Sequence, residues 1–216
     1  MNIQKPGKSS GWRGSAELWL DAGYERLVSG GVEAVKILPL AKGLGLSRTS
    51  FYWHFADRDA LLAGIVDRWQ AQNTGNLVAR STAPADTICA ALFNLFDCWI
   101  DADLFDAKLD LAIRNWARND ARLQPHVEAA DTVRITAISD MFQRFDFSPT
   151  QARTRAHTVI FTQVGYYTMA LGESTEDRLR RMPPYVEVYA GIAPSGDEIA
   201  QFFARHGLVD EAAGLA

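Results

Sequence analysis

Side chains that can form hydrogen bonds with DNA stand together in one short segment of the chain. Arg48, Thr49 and Ser50 offer one long cation and two small hydroxyl groups, and no acidic residue interrupts them. Such groups suit the base edges of the DNA major groove when a helix presents them near its N-terminus. Ser47 can cap that helix, and Gly45 can supply the positive φ of the turn before it. The segment therefore predicts a DNA-reading helix.

Two short helices joined by the glycine turn must position these groups. Apolar residues predict a first helix over residues 37–43, and a second helix is expected from about Ser47 to His54. Phe51 and Phe55 lie four positions apart, so they share one helix face and are expected in a small core. This arrangement predicts a helix-turn-helix.

The segment from Leu40 to Leu62 also resembles the DNA-binding domain of TetR-type transcriptional regulators. The resemblance covers about residues 15–69 and rests on Phe51-Tyr52-Trp53-His54-Phe55, with Arg58 following at the start of a fourth helix. It implies that Tyr52 and His54 donate hydrogen bonds to phosphate oxygens. The residues expected to contact DNA are Lys36, Lys42, Arg48, Thr49, Ser50, Tyr52, Trp53, His54 and Arg58.

For two of these residues the sequence leaves alternatives open. Trp53 either packs against the helix or touches the DNA backbone. Arg58 is either a solvated charge or a phosphate contact beside exposed N-terminal amides.

Composition and charge favour a two-domain protein with two different partners. The chain has 216 residues, of which 48% are hydrophobic, enough for a substantial core. Residues 1–58 hold eight Lys and Arg against five Asp and Glu, a net charge of +3, and the remainder holds 14 against 21, a net charge of −7. We expect a DNA-binding domain over residues 1–58 and an effector-binding and dimerisation domain over residues 59–216.

Several classes of protein and site find no support in the sequence. The N-terminal stretch lacks an apolar leader, and no run is long enough to span a bilayer, so a cytoplasmic protein is expected without a membrane partner. Cys89 and Cys98 lie nine positions apart on one predicted helix, on opposite sides, and are not expected to pair. No metal-ligand motif, cofactor motif or catalytic spacing is present.

Periodicity predicts an all-α chain without sustained strand alternation. The fourth helix is expected to run continuously from Arg58 to Leu77 and to join the helix-turn-helix domain to a C-terminal helical bundle. Met182-Pro183-Pro184 is interpreted as a break. The predicted helices cover residues 15–29, 37–43, 47–54, 58–77, 85–101, 105–119, 125–145, 150–171 and 197–206.

The second domain is rich in large rings. Between Thr87 and Asp101, apolar residues occupy nearly the whole circumference of a predicted helix, so that helix is expected to be buried. For any single ring, plain core packing is the simpler interpretation. The TetR resemblance implies a small effector in this domain, and the residues expected to contact it are Phe96, Trp99, Asn115, Trp116, Phe142, His157 and Phe161.

The predicted helix over residues 150–171 has two faces suited to packing, of which one is expected to face the core. The other mixes small and large groups and suits close approach of a partner helix. Together with the last helix, it resembles the paired helices of TetR-type dimers, although both faces are alternatively intramolecular. The residues expected at a homodimer interface are Thr158, Thr162, Gly165, Tyr166, Met169, Ile199, Phe202 and Phe203.

The sequence thus predicts a homodimeric transcriptional regulator that binds a palindromic double-stranded DNA operator. A repressor released by a small, largely apolar ligand is the leading hypothesis, with ligand binding expected to shift the fourth helix. Two alternatives belong to other classes. One is an all-α enzyme using His157 or the pair Asp97 and Asp101, and the other is a DNA-associated protein without effector control.

Overall fold

The computed structural model of the protein describes residues 14–208, and all regular elements in that range are helical, which confirms the all-α prediction. The α-helices are α1 (Ala16–Gly30), α2 (Ile37–Gly43), α3 (Arg48–Phe51), α4 (Arg58–Trp69), α5 (Asn76–Thr82), α6 (Ile88–Ile100), α7 (Ala107–Ala117), α8 (Gln124–Gln143), α9 (Pro149–Met169), α10 (Thr175–Ala190) and α11 (Gly196–Arg205). A 3₁₀ turn covers Val32–Ala34, and a π-helical segment covers Gln70–Gly75. Among the described residues, no helix is both long enough and apolar enough to cross a bilayer.

The chain divides into two compact units, the first ending at Arg68 and the second beginning at Trp69. The first unit is built around rings and aliphatic side chains. Trp19 from α1 meets Phe51 from α3 edge to face, with ring centroids 5.2 Å apart, and both side chains are fully buried. Gly23 allows close packing of α1 on α4, since a Cβ there would lie 2.9 Å from Cδ1 of Ile65.

The second unit has a larger core centred on α6. All but a few side chains of this helix are buried, as its nearly continuous apolar surface predicts. The core around α6 includes buried side chains from α5, α8, α9, α10 and α11. Phe93 and Phe202, for example, stack with centroids 4.5 Å apart.

Helix α10 corrects the sequence interpretation, which placed a break at Met182-Pro183-Pro184. The helix continues through both prolines, although neither can donate the hydrogen bond that a helix interior normally requires. Ser174 caps its start by accepting from the Asp177 amide at 3.0 Å. Leu179 and Val186 lie in the core, so tertiary packing offsets the missing hydrogen bonds.

The helical stretch that begins at Arg58 extends further than expected, to Thr82, and it contains the π-helical segment. Within this segment, the buried Asn73 side chain exchanges two hydrogen bonds of 2.9 Å with the backbone of Asp106. The wider π turn thus occurs where a side chain docks on the backbone just before α7. Periodicity does not report such a long-range contact.

Candidate DNA-binding surface and cavity

The start of α3 has the predicted cap and turn. Ser47 Oγ accepts from the Ser50 amide at 3.1 Å, and Gly45 has a φ of 67°. The helix itself is shorter than expected and ends at Phe51, because the amides of Trp53 and His54 bond to carbonyls three residues back. The segment after Phe51 therefore continues as a tight turn.

Arg48 and Tyr52 form a pair on the outside of α3. Arg48 Nη2 donates to the Tyr52 hydroxyl at 3.0 Å, and the guanidinium carbon lies 5.7 Å from the centre of the Tyr52 ring. Both side chains are exposed, as is Thr49 between them on the chain. Lys36 and Lys42 are exposed as well. This surface offers two cations at α2, one at α3, and a phenol.

Ser50, Trp53 and His54 have distinct surroundings. Ser50 is buried, and its Oγ lies 2.9 Å from Ser47 Oγ, so its hydroxyl serves the cap. Trp53 keeps 62% of its surface exposed. His54 is half-buried, and its Nε2 has no hydrogen-bond partner among the described residues. Two of the three are thus placed differently from the outward-facing contacts expected of them.

Arg58 is tied to the backbone of its own unit. Its Nε donates to the Val35 carbonyl at 2.6 Å, and its Nη2 donates to the Val32 carbonyl at 2.5 Å. These bonds exclude the freely solvated charge of the first alternative, and the phosphate contact stays a prediction. The guanidinium instead holds the 3₁₀ turn and the residues leading into α2.

A narrow cavity lies in the second unit, between α6, α9 and α10. Its free volume of about 30 Å³ leaves room for about two water molecules. Glu173, from the loop between α9 and α10, contributes a carboxylate to the wall. The lining residues are Phe96, Trp99, Val159, Thr162, Gln163, Tyr166, Glu173, Arg178, Arg181, Met182, Tyr185 and Tyr189.

Charged groups and phenols share the wall of this cavity. Glu173 forms an ion pair with Arg181 and accepts from the Tyr166 hydroxyl at 2.9 Å. Arg181 lowers the pKa of Glu173 through the hydrogen bond between them, whereas burial and the bond to Glu173 raise the pKa of Tyr166. Arg178 donates to the Tyr167 hydroxyl at 2.8 Å. The carboxylate is therefore held in its charged form.

The residues expected to bind an effector do not gather at one place. Phe96 and Trp99 line the cavity. Phe142 is fully buried in the core, and Trp116 is half-buried with its indole N–H donating to Asp120 at 3.2 Å. Asn115 is exposed. The cavity thus receives two of the expected rings.

His157 and Phe161 pack against each other on the outer side of α9. Their ring centroids are 5.5 Å apart, and Phe161 is 64% exposed. They border an open groove with Pro149, Thr150 and Arg153 rather than the cavity.

The sequence interpretation missed most of the polar residues at the cavity, because it placed no helix over residues 175–190. A usable signal was present. Arg178 and Arg181 lie three positions apart, and Tyr185 and Tyr189 follow at four-residue spacing, which places such side chains on one face of a helix. The two prolines concealed this pattern.

Residues expected at a dimer interface fall into two groups. Along α9, Thr158, Thr162 and Met169 are exposed, and Gly165 and Tyr166 are half-buried. On α11 the placement differs from the expectation. Phe202 and Phe203 are buried in the core of this chain, and Ile199 packs against that core. Their apolar surface is used within the unit, so α9 carries the outward-facing part of the expected interface.

The carboxylate considered for catalysis, Asp97, lies among one histidine and two arginines. It accepts from His206 at 2.9 Å and forms longer ion pairs with Arg80 and Arg205, at 3.4 and 3.5 Å. Asp101 lies apart at the end of α6 and is exposed, where it accepts from the Asp103 amide. Asp97 therefore joins α5, α6 and the end of α11. Between residues 14 and 208 no group of His, Cys, Asp and Glu side chains is arranged to hold a metal ion.

Residues 20–65 match the family model described as bacterial regulatory proteins, tetR family. Among solved structures, AmtR from Mycobacterium smegmatis is similar at a TM-score of 0.63 and 16% identity, over 96% of this chain and 99% of that one. A transcriptional regulator from Rhodococcus sp. Rha1 is similar at a TM-score of 0.59 and 19% identity, over 89% and 97%.

SmeT, the repressor of the Stenotrophomonas maltophilia multidrug efflux pump SmeDEF, is similar at a TM-score of 0.57 and 20% identity, over 85% and 92%. At these identities the likeness concerns the fold. No curated protein sequence matches the chain.

Proposed function

We propose that this chain, a TetR-type regulator whose family-specific domain spans residues 20–65, represses transcription as a homodimer on a palindromic operator and is released by a small ligand. The observation that carries the proposal is the surface of α3. There, a capped helix start presents Arg48, Thr49 and Tyr52 outward above a core closed by Phe51. Groups of this kind read base edges and phosphates together.

Dimerisation is part of the proposal because one short reading helix contacts too few base pairs for useful specificity. Exposed apolar side chains on neighbouring helices support it. Phe161 and Met169 on α9 and Val188 on α10 are 64%, 69% and 72% exposed. A partner chain that covered these side chains would remove their apolar surface from water.

The cavity supports a ligand-responsive regulator. Its wall on α6 carries Phe96 and Trp99, and Asp97, which follows Phe96 in the chain, pairs with Arg80 on α5. We propose that a bound ligand moves α6, that α5 follows through this ion pair, and that residues 58–82 carry the change. On the other side, Thr162 and Tyr166 belong both to the cavity wall and to the expected interface, so a ligand is proposed to alter the dimer as well.

Selection of bound duplexes from a random pool, followed by titration at several salt concentrations, tests the DNA-binding proposal. Wild-type protein is expected to prefer one palindromic sequence. Arg48→Ala is expected to relax the preference at one base pair per half-site, at a cost of roughly 1–3 kcal/mol. Arg68→Ala removes the same charge from the far end of α4 and serves as the matched control. Equal affinity of wild-type protein for all duplexes would reject the operator proposal.

Sedimentation of Gly165→Arg tests the interface. A Cβ at Gly165 meets no atom within 4 Å, so the monomer has room for the new side chain, whereas a partner helix packed there does not. The variant is expected to sediment as a monomer and to lose operator binding. Gly196→Arg, also in open space, is the control and should remain a dimer. A dimeric Gly165→Arg protein would move the interface away from this part of α9.

A further inference from the structure

Two residues that line the cavity carry buried hydrogen-bond donors without an acceptor in the part of the chain that the structure describes. The indole N–H of Trp99 and the side-chain amide nitrogen of Gln163 are both buried and have no hydrogen-bond partner among the described residues. Trp99 is only 4% exposed. Buried donors without acceptors are costly, and they point to an acceptor that is brought in by a ligand.

Two guanidinium groups add positive charge to the same wall. The Arg178 guanidinium lies 4.7 Å from the centre of the Tyr166 ring and donates to the Tyr167 hydroxyl, so it is held in place. Arg181 lies one helical turn further along α10 and faces Glu173. Among the lining residues, Glu173 is the sole carboxylate. The lining residues therefore include two cationic side chains and one anionic side chain.

Glu173 lies in a loop and not in a helix. It lies between α9 and α10, in a segment that starts at Ala170, whose φ of 50° is in the left-handed region that L-residues seldom adopt. Its partners are Arg181 and the Tyr166 hydroxyl. A short loop that bears one carboxylate can withdraw without unfolding a helix, so these two donors can be transferred to another carboxylate.

The apolar part of the wall indicates the chemistry of the rest of the ligand. Phe96, Trp99 and Met182 are buried and line the cavity with the rings of Tyr185 and Tyr189. The free volume of about 30 Å³ is far below that of small-molecule sites, so an organic ligand requires the cavity to open. Withdrawal of the loop that bears Glu173 is the opening movement that we infer.

The geometry points to an organic carboxylate with an aromatic or aliphatic body as the ligand of this cavity. The ligand carboxylate takes the place of Glu173 between Arg181 and Tyr166, and its body lies against Phe96, Trp99 and Met182. This assignment rests on the proposed function only in calling the ligand an effector. Glu173 thus occupies the position that the ligand carboxylate would take. Its carboxylate competes with the ligand for Arg181 and Tyr166 and keeps the site closed when no ligand is bound.

Calorimetric titration of the full chain without DNA tests the assignment, using acids and alcohols matched in shape. The pairs are benzoate with benzyl alcohol, phenylacetate with phenethyl alcohol, hydrocinnamate with hydrocinnamyl alcohol, and octanoate with octanol. At least one acid is expected to bind about tenfold more tightly than its alcohol, because a charged acceptor forms stronger hydrogen bonds with guanidinium. If no acid binds more tightly than its alcohol, the assignment is overturned.

Three variants separate the assigned roles. Arg181→Met is expected to abolish the preference for the acid, and Glu173→Gln is expected to increase the affinity for the acid severalfold because the competing charge is gone. Arg180→Met, whose guanidinium bonds Glu176 outside the cavity, is the matched control and should keep the wild-type preference. Because Glu173→Gln predicts a gain, loss of folding cannot imitate its result. Unchanged affinity in Glu173→Gln, or an undiminished preference in Arg181→Met, contradicts the assignment.

Operator release, measured separately, distinguishes this inference from the proposed function. If an acid binds in the cavity and the operator stays bound, the carboxylate site stands and the proposed switch fails. If a neutral molecule releases the operator and no acid binds preferentially, the regulator stands and the carboxylate assignment fails.

Discussion

Two arginine–carboxylate clusters in the second unit have similar chemistry and different surroundings. One is centred on Asp110 in α7, and the other on Glu173 in the loop before α10. Asp110 is 4% exposed, whereas the Glu173 side chain is 19% exposed and lines a cavity. We expect a carboxylate surrounded by its partners and a carboxylate that lines a cavity to have different roles.

Asp110 is fully occupied by donors from three directions. It accepts from the Trp69 indole at 2.7 Å, from Arg114 at 2.7 Å and from Arg134 at 2.9 Å. Arg134 is 1% exposed, bonds Thr74 and lies over the rings of Trp69 and Phe105. These contacts join α7 and α8 to Trp69, at the end of α4, and to Thr74 in the π-helical segment. The cluster is therefore structural.

The comparison shows that the type of residue does not decide its role. In both clusters arginine lowers the pKa of the carboxyl group, at Asp110 against the opposing effect of burial. The difference lies in the hydrogen-bond partners. Replacing Asp110 leaves buried donors without an acceptor, whereas moving Glu173 leaves its donors beside a cavity, where another molecule can supply an acceptor.

The largest expected effect comes from Asp110→Ala. This change removes the nearer charged partner of the buried Arg134 guanidinium, leaving Asp131 at 3.7 Å, and removes the acceptor of the Trp69 indole, at a cost of about 3–5 kcal/mol in the free energy of unfolding. Urea denaturation measures it. Glu176→Ala, which breaks the exposed pair with Arg180, is the control and should cost at most about 1 kcal/mol. Equal losses of unfolding free energy in the two variants would contradict the expectation that the buried pair stabilises the fold more than the exposed pair.

Acid should weaken the Asp110 cluster without any mutation. Because the folded-state pKa of Asp110 is lowered, its stabilising effect is complete above the unfolded-state value of about 3.9 and is lost as the pH falls through the folded value. In Asp110→Asn this contribution is absent at every pH. The stability difference between wild type and Asp110→Asn should therefore shrink below about pH 4. Urea denaturation between neutral pH and pH 3 measures this difference, and a constant gap would contradict the prediction.

Arg58→Ala extends the comparison to a guanidinium bonded to backbone carbonyls. Removing it leaves the carbonyls of Val32 and Val35 without these two hydrogen bonds, at an expected cost of about 1–3 kcal/mol in unfolding free energy. Arg68→Ala, which breaks the exposed pair with Asp21, is the control with a smaller expected loss. A stable Arg58→Ala protein whose DNA affinity shows a salt slope lower by about one would instead support the phosphate contact that the sequence suggests.

The smallest effect on stability is expected for Glu173→Ala. Its loop position and partly exposed partners predict an unfolding midpoint indistinguishable from that of wild type. Differential scanning calorimetry checks this, with Asp110→Ala measured in parallel. A large drop in midpoint would place Glu173 with Asp110 as a structural carboxylate and would argue against its displacement by a ligand.

The sequence predicted the N-terminal motif well because its signals are local. Ser47 caps the helix that follows it within three residues, and Gly45 supplies the positive φ of the turn, so neither feature needs a distant partner. The apolar circumference of α6 likewise predicted its burial. Helix α10 was missed because two prolines oppose helix formation locally, and packing of Leu179 and Val186 overcomes that effect.

By itself, then, the sequence determined the helical class, the helix-turn-helix and the family resemblance, since these depend on spacing and local hydrogen bonds. Only the tertiary structure decided which apolar faces are covered and which charges meet. Phe202 lies inside while Phe161 lies outside, although both are phenylalanine side chains on helices of the second unit. The bonds from Arg58 to Val35 and from Arg134 to Asp110 join residues far apart in the chain. Such pairings depend on how helices pack, and local spacing carries no record of that packing.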